Sequence, residues 1–305
     1  MANDVLRTHD LSKAFGEVVA VRGLTLSLRP GEAFGCLGQN GAGKTTFVKM
    51  LLGLVAPTSG SGILLGAPLG DRAARRDVGF LPEHFRFHDW LTASELLELH
   101  GRLFGVDRPT LLRRSDALLD RVGLATFRHR RLRTFSKGML QRIGIAQALI
   151  GEPRLVFLDE PTSGLDPVGR LLVRDLIGEL KRGGTTVFLN SHLLGEVEAS
   201  CDRVAFVKHG EALRVGDLGS LVEGETELSI RAGELDPETL FGLGRFGRPR
   251  RTDSGEIVLA GVSDRDVPEI ARWLVGRGAE LRALVPRRPS LEEIFLRILG
   301  RDGGL

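Results

Sequence analysis

Two clusters of residues have the types and spacing for phosphate chemistry. The first is Gly-Gln-Asn-Gly-Ala-Gly-Lys-Thr-Thr, Gly38 to Thr46, which fits the Walker A pattern G-x-x-x-x-G-K-[ST]. Glycines 38, 41 and 43 let the chain bend so that successive N–H groups face inward on phosphate oxygens. Asn40 and Thr46 are counted in the same cradle. Lys44 would reach the β and γ phosphates, and the Thr45 hydroxyl would ligate Mg²⁺. The helix expected after Lys44 aims its positive N-terminal end at the same anion. A plain glycine-rich turn is the competing reading. The strand expected before the loop and the helix after it weigh against that.

The second cluster closes the run Leu-Val-Phe-Leu-Asp-Glu-Pro, with Asp159 and Glu160 at its end. Five apolar-to-acidic residues of this kind predict a strand buried on both faces. Asp159 would sit at its C-terminal end, where open α/β sheets bind ligands, and hold Mg²⁺ through water. Glu160 is placed to orient and deprotonate the attacking water. A carboxylate pair that only caps the next turn is the alternative, and it loses ground once a Walker A loop lies upstream.

The remaining motifs resemble the ABC ATPase family. Ser136-Lys137-Gly138-Met139 is similar to its signature, usually written LSGGQ. Ser136 is a natural N-cap, and Gly138 permits close approach of an anion. The motif alone would equally suit an ordinary capped helix. Lys137 stands for the first glycine of the pair and Met139 for the glutamine, a form the type-2 exporter branch shares. Ser163 to Pro167 is similar to the D-loop, which brings Asp166 into the nucleotide set. His192 matches the switch histidine, and Phe15 the aromatic that stacks on adenine, with core packing as its rival. Where the family usually has glutamine, Val-Gly-Phe-Leu-Pro-Glu-His-Phe puts Glu83. A carboxylate ligates Mg²⁺ at least as well as an amide oxygen, so Glu83 stays a metal or water contact. The resemblance spans residues 3–215. It implies an ATP- and Mg²⁺-dependent ATPase that powers a separate membrane permease, with export the implied direction. In the family, the signature of one subunit meets ATP bound by another, so one chain holds two half-sites. A dimer follows, with identical chains preferred over a mixed pair.

These side chains need an α/β scaffold to position them. Apolar alternation from Val18 to Leu28 predicts a strand, and Ala-Phe-Gly-Cys-Leu-Gly a second one ending at Gly38. A helical subdomain is expected over about 85–150, and strands alternate with helices from Leu155 to Lys208. The P-loop core is assigned to residues 1–218. Leu-Gly-Ser-Leu-Val-Glu-Gly-Glu-Thr-Glu, from Leu218, reads as a linker, and 222–305 as a small α+β accessory domain. Its last helix begins with a Ser290–Glu293 capping-box pattern.

Composition narrows the function class. The 305 residues are 42% apolar with a formal net charge of +3, too small to argue for nucleic acid. The run from Phe127 to Arg142 holds six Arg or Lys and no acid, but Phe127 and Phe135 alone do not make an interleaved set of base-stacking aromatics. A solvated face near phosphates and an anionic membrane surface suits it better, and no nucleic-acid partner is expected. Phe85, Phe87 and Trp90 form an apolar cluster that is either core packing or a groove for the permease. Cys36 and Cys201 lie far apart and suggest no disulfide or metal site. No apolar run approaches the roughly 20 residues of a membrane span, and the N-terminus lacks a signal-peptide core. The expectation is a peripheral protein on the cytoplasmic face. Two rivals stand beside it: a soluble ABC ATPase acting on nucleic acid or a protein assembly, and a nucleotide switch that scarcely hydrolyses.

Overall fold

A strand buried on both faces needs a nearly continuous run of apolar residues. Ala33–Leu37, Leu155–Asp159 and Thr186–Ser191 are buried at every residue, with polar side chains admitted chiefly at their C-terminal ends. The computed structural model describes residues 4–223, 227–252, 255–263, 265–287 and 291–295. The chain divides into two compact units, Met1–Gly216 and Asp217–Leu305.

In the first unit the order is β1 (Leu6–Phe15), β2 (Val18–Leu24), β3 (Ser27–Leu28), β4 (Ala33–Leu37), α1 (Lys44–Leu51), β5 (Ser59–Leu64), β6 (Ala67–Pro68) and β7 (Val78–Leu81). Then come α2 (Ala93–Leu103), α3 (Arg108–Arg121), α4 (Lys137–Leu149), β8 (Leu155–Asp159), α5 (Pro167–Arg182), β9 (Thr186–Ser191), α6 (Leu194–Ser200), β10 (Arg203–Lys208) and β11 (Glu211–Asp217). Six strands form a sheet in the order β11-β10-β4-β9-β8-β7. The pairs from β10 to β7 are all parallel. β4 and β8, which precede the two motif clusters, both flank β9, so the C-terminal ends of all three strands open side by side. An antiparallel sheet, β2-β1-β5-β6 with β3 on β1, lies in the same unit. Phe34, Phe47, Phe157 and Phe188 are fully buried. They belong to one core that ties α1 to the parallel sheet.

The strand expected over 18–28 is broken. β2 ends at Leu24 and β3 starts at Ser27, and the Thr25 hydroxyl donates to Asp10 Oδ1. Register shifts in the β1–β2 pair change which face is buried, so Val21 rather than Val18 enters the core. In the second unit, the expected linker begins as a helix, α7 (Leu218–Glu223). There follow β12 (Glu227–Ala232), α8 (Pro237–Gly242), β13 (Arg248–Arg251), β14 (Ile257–Ala260), α9 (Val267–Gly276) and β15 (Leu281–Arg287). The sheet order β13-β14-β12-β15, with antiparallel pairs, is the β-α-β-β-α-β arrangement of ferredoxin-like domains. Leu228, Ile230, Leu259, Ile270 and Leu274 build its own core. Residues 291–295 are helical, and the expected cap at Ser290 lies outside the described residues.

Candidate functional site

The loop between β4 and α1 is shaped by glycines that nothing else can replace. Gly41 and Gly43 have φ of +85° and +94°, a region L-residues rarely enter. A Cβ on Gly43 would lie 2.1 Å from the Ala20 carbonyl oxygen, and one on Gly38 2.3 Å from that of Val207. α1 starts directly after Gly43 with no side-chain cap, so its first N–H groups are left for an external acceptor. Lys44 is 7% exposed. Its Nζ donates to the carbonyl oxygens of Gly38 at 2.6 Å and Gln39 at 3.2 Å. It joins no ion pair among the described residues. A buried ammonium held only by carbonyls is a charge awaiting an anion.

A cavity of about 350 Å³ opens beside it, lined in part by Asn40, Gly41, Gly43, Lys44, Thr45 and Thr46. Glu83, Asp159, Glu160 and Asn190 line the other side. Thr45 Oγ1 donates to Asp159 Oδ2 at 3.2 Å, and Asn190 Nδ2 donates to Asp159 Oδ1. Burial pushes the Asp159 carboxyl above its ordinary range; the two hydrogen bonds pull it back, and the charges of Glu83 and Glu160 push it up again.

Glu160 is 5% exposed and has φ of +50°, a strained conformation for a non-glycine residue. Four contacts hold it there. Its N–H donates to the Asn190 carbonyl at 2.8 Å, its own carbonyl accepts from Gln141 Nε2 at 3.0 Å and from Ser163 N at 3.1 Å, and its Oε1 lies 2.8 Å from His192 Nδ1. His192 follows β9 directly and keeps half its side chain in solvent.

Thus the structure gathers Asn40 to Thr46, Glu83, Asp159 and Glu160 on one cavity, with His192 attached through Glu160 and Gly38 off the lining, its carbonyl accepting from Lys44. Ser136, Gly138, Asp166 and Phe15 do not line it. Ser136 Oγ accepts from Met139 N at 3.2 Å and caps α4; Asp166 Oδ1 accepts from Gly169 N at 2.7 Å and caps α5. Phe15 is 51% exposed, with Lys13 Nζ 4.9 Å from its ring centroid. The aromatic cluster splits. Phe85 and Phe87 pack with ring centroids 4.8 Å apart at a 35° tilt and face Gly144 of α4, whereas Trp90 is 66% exposed. In the basic run, Arg128 pairs with Asp116 at 2.8 Å and Arg142 donates to the Val122 carbonyl.

Asn190 and Gln141 escape a reading by motif. Each is a buried amide in an apolar element, and that is the signal that could have found them. The Asn190 side-chain oxygen is buried without a hydrogen-bond partner. It accepts readily from a metal-bound water, and the hydroxyl and carboxylate oxygens of Thr45, Asp159 and Glu83 are the hard donors Mg²⁺ takes. Among the described residues no three His, Cys, Asp or Glu side chains converge on a metal. A cation here therefore depends on phosphate oxygens as well, as Mg²⁺ sites commonly do.

Comparison with known proteins agrees with this geometry. Residues 21–163 match the family model described as ABC transporter. An uncharacterized ABC transporter ATP-binding protein of Synechocystis is 42% identical over 98% of this chain and 86% of its own length. The Nod factor export ATP-binding protein I of Rhizobium sp. (strain N33) is 37% identical over 96% of both chains. The linearmycin resistance ATP-binding protein of Bacillus subtilis is 32% identical over 97% of this chain and 99% of its own. Among solved structures, the ATP-binding subunit of an ABC transporter superposes with a TM-score of 0.67 at 30% identity, covering 72% of this chain and 92% of its own. A dimeric cassette in a post-hydrolysis state, bound to ADP and Pi, gives 0.65 at 26% identity over 70% of this chain and 98% of its own.

Proposed function

This chain belongs to the ABC transporter family as an ATP-binding, ATP-hydrolysing subunit, and from that premise we propose how its residues share the reaction. The loop N–H groups and Lys44 hold the β and γ phosphates. Thr45 and Asp159, with Glu83 beside them, hold Mg²⁺. That ion, when bound, neutralises charge on the β and γ oxygens. Glu160 accepts the proton of the attacking water, and the bonds on its strained backbone together with the His192 contact on Oε1 keep its carboxylate aimed into the cavity. His192 steadies that carboxylate through Nδ1. In its protonated form it has a second N–H at Nε2 for a γ-phosphate oxygen. Phe15 offers an exposed ring for the base.

Ser136 and Gly138 serve the nucleotide of a second chain, because they lie off the cavity that Lys44 lines. Two identical chains therefore complete two sites, with Asp166 near their junction. Family members act through membrane permeases. No helix among the described residues is long and apolar enough to cross a membrane; it is the family that implies a separate permease, with this chain bound at its cytoplasmic side. The relatives named for Nod factor export and linearmycin resistance favour export.

The observation that carries the reading is Lys44, buried and without a carboxylate partner, at the rim of a cavity that also holds Asp159 and Glu160. The transport half is tested by extraction. A tagged chain purified from detergent-solubilised native membranes should bring an integral membrane protein with it in fixed ratio. Recovery of the chain alone, all of it in the soluble fraction, would contradict the assignment.

A further inference from the structure

A second cavity, of about 340 Å³, lies apart from the nucleotide site. Its walls are mostly apolar: Leu171, Val173 and Ile177 from α5, Leu189 from β9 and Ala199 from α6. Its volume falls in the range that takes small organic ligands. Three segments frame it, and two of them follow residues of the reaction, Glu160 and His192. Pro161 and Thr162 follow Glu160, α5 follows Asp166, and α6 follows His192 by two residues.

One polar group in the wall is unfinished. The Thr162 hydroxyl donates to Glu196 Oε2, which ties the Glu160 loop to α6. Glu196 Oε1 is buried and accepts no hydrogen bond; the Arg170 guanidinium stays 3.9 Å away. A buried acceptor left without a donor is costly. A ligand that brings a donor to that oxygen removes the cost. Arg170 and Arg174 stand against Glu196 among the lining charges, so the cavity does not favour strong charge of either sign. The apolar walls favour a neutral body.

We propose that this cavity is a regulatory site for a small, neutral, largely aromatic or branched molecule carrying one N–H or O–H donor, which bonds Glu196 Oε1. Its effect on turnover rests on the roles given above to Glu160 and His192; its binding does not. An occupant fixes Glu196 and, through Thr162, the Glu160 loop. It also holds α5 and α6 at their present spacing. Turnover falls, while ATP binding at Lys44 is left alone.

The probe is N-phenyl-1-naphthylamine, a neutral apolar molecule with one N–H, whose fluorescence rises in apolar surroundings. Titrated into the intact chain, it should saturate at one per chain. Ala199→Trp places a large ring at an exposed rim position. It should abolish the signal and leave ATPase activity within about twofold. Glu196→Gln can keep the Thr162 bond but turns the free acceptor into a donor, and should weaken binding at least fivefold. Saturating probe should lower kcat severalfold with KM for ATP unchanged. No saturable binding, or binding that survives Ala199→Trp, overturns the site. Loss of binding when ATP closes the dimer assigns the cavity to the second chain and overturns the proposal. Binding without any change in kcat overturns regulation. A wild-type chain with no ATPase activity speaks against the Glu160 assignment and leaves the cavity result intact.

Discussion

At the residue scale the site concentrates carboxylates that the free protein does not favour. Asp159 is buried beside Glu83 and Glu160, and burial holds its carboxyl above the usual range. Removing that charge should relieve the nucleotide-free protein. Asp159→Asn keeps an acceptor for Asn190 and a donor for Thr45 Oγ1. It should raise stability without nucleotide by about 1 kcal/mol, read from chemical denaturation. The same variant should lose most of the thermal shift that Mg²⁺ and ATP give the wild type. Glu160→Gln should cut steady-state turnover by about 10²-fold or more, the size of a lost general base, with ATP affinity changed by less than about fivefold. These residues were legible in the sequence because phosphate chemistry demands few types at fixed spacing. Asn190 and Gln141 were not, since an amide becomes functional only through the partner folding gives it. Glu160 was legible as a carboxylate but not as a strained one; its φ of +50° follows from contacts with Asn190, Gln141 and His192.

At the element scale, what matters is where strands end and helices begin. Gly43 holds the turn into α1 at φ +94°, with the Ala20 carbonyl where a Cβ would go. Gly43→Ala should cost about 1–3 kcal/mol from backbone strain alone, more with the clash, seen as a lower urea midpoint together with lost ATP binding. Ser136→Ala removes the cap of α4 and should cost about 1 kcal/mol, with ATP affinity of the single chain unchanged. The parallel strands were legible because burial on both faces leaves continuous apolar runs, as in Leu155–Asp159. β5 was not: Ser-Gly-Ser-Gly-Ile-Leu lies mostly exposed and carries no alternation. β13, Arg-Pro-Arg-Arg, is exposed throughout and is a strand only because β14 pairs with it. α7 was read as linker because its small and charged residues carry no helical stripe of apolar side chains.

For the whole molecule, the single chain is on the proposed reading an incomplete enzyme, with one nucleotide cavity and one signature helix start among the described residues. Ser136 and Gly138 lie off the cavity that Lys44 and Glu160 line, and on that reading a second chain brings them to the nucleotide. ATP adds phosphate charge that both surfaces bind, so it should drive association; cleavage should release it. A chain that binds ATP without cleaving it should be trapped in the closed pair. The direct measurement is sedimentation velocity of the Glu160→Gln chain with ATP and Mg²⁺, compared with ADP and with no nucleotide. A dimer with ATP, and a monomer in the other two conditions, is the predicted result. A monomer at saturating ATP, with the nucleotide bound, would contradict it.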